Sequence, residues 1–257
     1  MDIVEIYSIT IMASPTKPIS KKEPVILERF YINANDTHEI SIDEAGRGCM
    51  FGRVYIASVI LPKNPDLFSG IDIKDSKKFS SKKKLREMAE YIKEHALVWN
   101  IEYIEPDVID RINILSSVMK GMHTCISESI QKTNDLTNMD HNMANFMAVV
   151  DGNYFKPYGY FDNTTNEFQY MEHVTVEKGD GKYMAIAAAS ILAKTARDDH
   201  IIEMCNQYPI LSEHYGLNTN MGYGTKSHME GIQKYGITQW HRRSFGCCKT
   251  ADLHIIE

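Results

Sequence analysis

The chain has 257 residues, of which 43% are hydrophobic and 24% charged, and a formal net charge of −6. This is enough apolar material for one sizeable soluble domain with a small appendage, while the negative balance argues against a protein that coats nucleic acid through its overall charge, since that mode relies on Lys and Arg meeting phosphates. No apolar run is long enough to cross a bilayer, Asp2 and Glu5 stand where a targeting peptide would be basic, and the five cysteines form no C-x-x-C spacing, so a cytoplasmic, reducing setting without disulfides, zinc ribbon or membrane contact is expected.

Residues 1–37, with S-P-T-K-P-I-S-K-K-E-P, read as an extension holding a short strand and a turn-rich link, and no chemistry is assigned there. From Glu39 the pattern H-E-I-S-I-D predicts a strand that ends near two glycines, and Arg53 to Leu61 predicts a second, mostly buried strand joined to it as in a hairpin. Ser80 or Ser81 can cap a helix running to about His95, followed by a strand over Leu97–Ile104. Pro106 opens a helix predicted from about Asp107 to Gln131, where Val108, Ile112, Leu115, Met119, Met122 and Ile126 form a stripe best read as core packing. Phe146–Val150 predicts a short strand that delivers Asp151 at its end, and Val174–Glu177 another; the Tyr-, Asn- and Phe-rich segment between them reads as an inserted loop or hairpin. From about Tyr183 the run A-I-A-A-A-S-I-L-A-K-T-A-R-D-D-H is a strong helix former whose small residues permit close packing on a sheet.

The chemistry concentrates in S-I-D-E-A-G-R-G, Ser41 to Gly48, where two adjacent carboxylates precede a glycine-flanked arginine. Carboxylates bind hard cations, Gly46 and Gly48 let a ligand approach the backbone, and Arg47 offers a planar fork to phosphate oxygens. Asp43, Glu44, Asp151 and Asp198 occupy two strand ends and a helix, positions that converge over an α/β sheet. Four acids could hold two cations roughly 3.5 to 4 Å apart for an in-line displacement at phosphorus, and like charges so close are costly without metal. A plainer reading stays open on spacing alone: Asp151 turns a D-G-N loop and Asp198 pairs with Arg197 or Lys194. Lys74 to Arg86 and Lys178, Lys182, Lys194 and Arg197 form two basic clusters, which are either phosphate contacts or solvated surface.

Seven segments resemble, in order, the motifs of the type 2 ribonucleases H, and most closely the single-chain form ribonuclease HII: I-D-E-A-G-R-G at 42–48, K-D-S-K-K at 74–78, V-D-G-N at 150–153, K-G-D at 178–180, A-A-A-S-I-L-A-K-T-A-R-D at 187–198, G-Y-G-T-K at 222–226 and H-R-R-S-F at 241–245. The resemblance implies a ribonuclease H-like α/β fold, a mixed central sheet flanked by helices with a helical C-terminal part. It spans a catalytic domain at 38–246 with an insertion at about 156–172, followed by a tail at 247–257. It further implies a metal-dependent endonuclease that uses two divalent cations, Mg²⁺ or Mn²⁺, to cut the RNA strand of RNA/DNA hybrids and single ribonucleotides in duplex DNA, leaving 5′-phosphate and 3′-hydroxyl ends, with roles in DNA replication and repair.

On this resemblance Asp43, Glu44, Asp151 and Asp198 become catalytic metal ligands, Gly46, Arg47 and Gly48 read the ribose 2′-hydroxyl, Tyr223 stacks near the sugar at the RNA to DNA junction, and Lys77, Lys78, Lys178 and Lys194 contact phosphates. Adjacent residues of an ideal strand face opposite ways, so Asp43 and Glu44 share a site only where the strand ends or twists. The chain departs from the family where Cys49, Met50, Phe51 and Arg53 replace a proline and small residues, which suggests a differently shaped substrate-facing turn. The closing A-D-L-H-I-I-E lacks the aromatic pair of a sliding-clamp peptide, so no clamp docking is expected, and a monomer is. Rival readings are ribonuclease HIII, disfavoured by Arg47, and a non-catalytic nucleic-acid module, disfavoured because all four acids are present; no P-loop motif occurs.

Overall fold

The computed structural model describes residues 26–32, 34–138 and 143–256, so most of the segment expected to hold a first short strand lies outside the described residues. Strand β1 (His38–Ala45) lies at the middle of a five-stranded sheet with β2 (Val54–Ile60), β3 (Val98–Ile104), β4 (Phe146–Asp151) and the edge strand Glu172–Val176, in the order β3, β2, β1, β4, edge. The first three strands are antiparallel, whereas β4 and the edge strand run parallel to β1, which makes the sheet mixed. The insertion folds as a separate hairpin of β5 (Gly159–Asp162) and β6 (Glu167–Tyr170), and the edge strand is therefore β7.

Helix α1 (Lys82–His95) is capped by Ser81, whose hydroxyl accepts the Lys84 amide at 3.2 Å. The single helix expected over 107–131 is two: α2 (Pro106–Ile112) and α3 (Ile114–Thr137). Asn113 causes the break, since its backbone turns to φ +67° and its side chain accepts the Ser116 amide, capping a new helix. Met119, Met122 and Ile126 of the apolar stripe are buried as expected, but Ile112 and Leu115, on either side of the break, are exposed.

Pleating sends Ile40, Ile42 and Ile56 toward α3, where they meet Val118, Met122 and Ile126. The opposite face packs Ala57 and Val59 against α1 and the long helix α4 (Met184–Gln207), whose Ala187, Ala188, Ile191 and Leu192 are fully buried. Small alanine side chains let α4 lie close over the sheet, and its polar residues Ser190 and Lys194 are thereby carried toward the carboxyl ends of β1 and β4.

The C-terminal part is helical: α5 (Ile210–Tyr215), α6 (Leu217–Asn220) and α7 (Lys226–Tyr235) share a third apolar cluster with Phe51 and Ile201. The closing residues are packed against this part, with the Ile237 amide donating to Asp252 at 2.7 Å and the His254 amide to Ile237 at 2.8 Å. The Met50 amide donates to Gly222 and the Arg242 amide to Met50, each at 2.8 Å, so residues 49–51 lie between the G-Y-G-T and H-R-R-S-F segments. Among the described residues no helix is long and apolar enough to cross a membrane.

Candidate active site

The parallel pairing of β1 and β4 ends at Ile42 opposite Val150, so Asp43 and Asp151 are the next residues on neighbouring strands and, by the pleat, project to the same face. Asp43 is almost fully buried. Both line a cavity of about 450 Å³ together with Glu44 and Asp180. Glu44 reaches the cavity although it alternates with Asp43, because the cavity lies off the strand ends rather than over one face. Asp180 is held in a short turn before α4, and the turn is anchored where the Gly179 amide donates to Asp151 Oδ1 at 2.6 Å.

These acids strain one another's charge. Burial and then the neighbouring charges of Asp151 and Glu44 hold the Asp43 carboxyl well above the usual carboxylate range. Burial raises Glu44 too, partly offset by Arg47, whose guanidinium lies 3.6 Å from it. Asp151 is raised by burial and by Asp180, against the Gly179 hydrogen bond. Oxygen donors that resist ionisation beside one another are the donor set a divalent cation would relieve, and so the residues fit such an ion. The side chains are gathered rather than closed on one point, since among the described residues no three His, Cys, Asp or Glu form a ready ligand set.

Asp198 lies elsewhere. Ser190 on α4 lines the cavity with Asp43, whereas Asp198 does not; eight residues further along the helix amounts to about 12 Å of axial rise, too far for an aspartate to reach back. Its buried carboxylate instead accepts Arg197 Nε at 2.7 Å and Lys194 Nζ at 3.1 Å. The structure thus brings Asp43, Glu44 and Asp151 together, adds Asp180, and leaves Asp198 among its helix neighbours. Asp199 is on the surface, paired with Arg86.

Gly46, Arg47 and Gly48 form one wall of the cavity and Tyr223 another. Gly46 adopts φ +89°, a conformation that favours glycine, and a Cβ there would crowd the Arg53 carbonyl at 3.3 Å. Arg197 lies under this wall: it donates to Cys49 Sγ at 3.3 Å, and its guanidinium is 5.1 Å from the centre of the Tyr223 ring. Arg242, fully buried, donates to the carbonyls of Gly52 and Arg47. Cys49 and Phe51, expected to reshape a substrate-facing turn, are buried beneath it, and Arg53 points away to Glu105 at 2.6 Å and the face of Tyr103. Lys77 and Lys194 line the cavity, with Lys77 3.6 Å from Asp180. Lys178 is exposed outside it, and the Lys78 side chain lies outside the described residues.

The family model described as Ribonuclease HII matches residues 40–248. A Ribonuclease HII of Parabacteroides distasonis is 40% identical over 207 residues, covering 80% of this chain and 89% of its own. The chain belongs to the ribonuclease HII family. It is therefore a ribonuclease H, an endonuclease. The ribonuclease H2 of Pyrococcus horikoshii shares the fold with a TM-score of 0.58 at 20% identity, over 83% of this chain and 96% of that one. An RNase HIII, Bst-RNase HIII in complex with Mn²⁺, gives 0.51 at 14%, over 77% and 70%.

Within this ribonuclease HII site the sequence reading passed over Asp180, Ser76 and Ser190, and it took Arg197 only as part of a basic cluster or as a partner of Asp198. Asp180 closes the K-G-D motif, from which the lysine alone was selected; an acid in a turn that enters a helix over the sheet was the available signal. Ser76 and Ser190, whose hydroxyls are 3.2 Å apart, carry none, because buried serines are ordinary in close helix packing.

Proposed function

We propose that this ribonuclease H cleaves the RNA strand of RNA/DNA hybrids, and single ribonucleotides embedded in duplex DNA, by metal-dependent phosphodiester hydrolysis leaving 5′-phosphate and 3′-hydroxyl ends. The observation that carries this reading is the gathering of Asp43, Glu44, Asp151 and Asp180 in one cavity beside the G-R-G backbone. These four would hold two divalent cations, Mg²⁺ or Mn²⁺, in place of the set that included Asp198, and the Mn²⁺ complex of an RNase HIII supports the choice of ion. Such ions supply positive charge for the attacking and leaving oxygens of a displacement at phosphorus.

The chain's own residues do the rest. Ser190 lies beside Asp43 in the cavity, the Gly179 amide orients Asp151, and the Gly46–Gly48 backbone is open to a ribose 2′-hydroxyl, the one group that distinguishes RNA from DNA locally. Tyr223, 44% exposed, presents an aromatic face to the sugar at the junction. Lys77 and Lys194 are placed to meet phosphates.

Two labelled duplexes test this, one with a single ribonucleotide in DNA and one with a continuous RNA strand on DNA, each incubated with Mg²⁺, Mn²⁺ or chelator. Metal-dependent cutting of both is expected. Cutting of the continuous hybrid alone would remove the junction role of Arg47 and Tyr223, and no cutting of either would favour a binding module on this fold.

A further inference from the structure

Beneath Tyr223, two buried histidines join the G-Y-G-T and H-R-R-S-F segments, and neither touches the acids. His228 and His241 are 0% and 1% exposed, and their Nε2 atoms are 3.1 Å apart. The partners at the two ends decide where the protons sit. The Thr238 amide can only donate, and it lies 2.9 Å from His241 Nδ1, with the Thr238 hydroxyl at the same distance. His241 Nδ1 is therefore an acceptor, and the neutral ring carries its proton on Nε2. At the other end the Tyr223 carbonyl can only accept, and His228 Nδ1 lies 2.9 Å from it. His228 thus carries its proton on Nδ1, which leaves its Nε2 free to accept from His241.

One directed chain results: Thr238 N–H to His241, His241 Nε2–H to His228, and His228 Nδ1–H to the Tyr223 carbonyl. A second proton on His228 would set its Nε2–H against that of His241 at 3.1 Å, and one on His241 would set its Nδ1–H against the Thr238 N–H at 2.9 Å. The packing holds the rings in this arrangement, with Phe51 edge-on to His241 at 5.0 Å and Tyr215 at 4.9 Å. Burial pushes His241 down to about 3 and lowers His228, in keeping with two neutral rings.

We propose that the His241–His228 pair positions Tyr223 for substrate, fixing the main chain from which the exposed ring is presented, and so governs binding of the ribonucleotide junction rather than the chemical step. The segment has no stiff local alternative: Gly222 turns at φ +84°, and a Cβ there would come within 2.8 Å of the Phe51 carbonyl. The hydrogen-bonded chain ends on the Tyr223 carbonyl and not on the acids, so its contribution falls on KM. This rests on the reading of Tyr223 as a substrate contact.

The test uses the full chain with ¹⁵N-labelled histidine and two polar variants of similar size. His228→Asn places an amide donor where Nδ1–H stood and keeps the bond to Tyr223, whereas His228→Gln places its amide near Nε2 and loses that bond. Long-range ¹H–¹⁵N spectra of the unmodified protein at neutral pH are expected to show His228 as the Nδ1–H tautomer and His241 as the Nε2–H tautomer. On the single-ribonucleotide duplex, His228→Gln is expected to raise KM roughly tenfold with kcat changed less than about threefold, and His228→Asn to restore most of the loss. Matching tautomers, a charged histidine, or equal KM for the two variants would overturn the proposal. If the unmodified protein cuts neither duplex with any metal, the nuclease reading and the substrate half of this proposal fall together, while the spectra still decide the histidine chain.

Discussion

Asp151 accepts the Gly179 amide at 2.6 Å, and through this bond the end of β4 holds the turn that carries Asp180. The fourth acid of the cavity therefore comes from the K-G-D turn and not from the R-D end of α4. Asp180→Asn is expected to lower turnover roughly a hundredfold or more with little change in thermal stability, as removal of a ligand for a transition-state cation would. Comparable rates for Asp180→Asn and the unmodified protein, across a metal titration, would return Asp198 to consideration.

Asp198→Asn should behave in the opposite way. It leaves Arg197 buried without its counter-charge, which costs about 3 kcal/mol of stability, while kcat with saturating metal falls less than about tenfold. Urea unfolding and single-turnover cleavage separate the two effects.

Asp43→Asn is expected to abolish cleavage yet raise the metal-free melting temperature by a few degrees, about 1 kcal/mol, because it removes one of several clustered like charges and keeps an acceptor for the Glu44 amide. Calorimetry in chelator checks this; a lower melting temperature would show that the Asp43 charge is compensated within the protein.

Arg47→Ala and Tyr223→Ala should impair cutting at a single embedded ribonucleotide roughly tenfold more than cutting of a continuous hybrid, where many alternative registers exist. Equal losses on the two duplexes would remove the junction role of both residues.

The buried histidines make stability acid-sensitive. Their folded-state values lie below the unfolded value near 6.5, so below that pH the unfolded chain binds more protons. Stability is fully present above about pH 6.5 and declines as pH falls toward 3, at about 1.4 kcal/mol per pH unit for each histidine that remains neutral in the fold. Replacing His241 by Asn should flatten the limb between pH 6 and 4, and an unchanged slope in urea titrations would show that other groups dominate it.

Much of this architecture was legible in the chain. Short runs of apolar, β-branched and aromatic residues marked β1 to β4 and β7, Ser81 marked the start of α1, and the D-E-A-G-R-G segment marked the cavity wall, because these depend on local spacing and backbone conformation. Tertiary structure alone decided the rest. A positive φ at Asn113 split a helix whose apolar stripe reads as continuous. Eight residues of helical rise separated Asp198 from the acids, although both Ser190 and Asp198 lie in one motif. Asp180 joined them because a hydrogen bond between segments 28 residues apart folds its turn back onto β4, and the two histidines met across α7 and the H-R-R-S-F loop. Local pattern sets which elements form and which residues they carry; which carboxylates share one cavity depends on long-range distances, and only packing determines those.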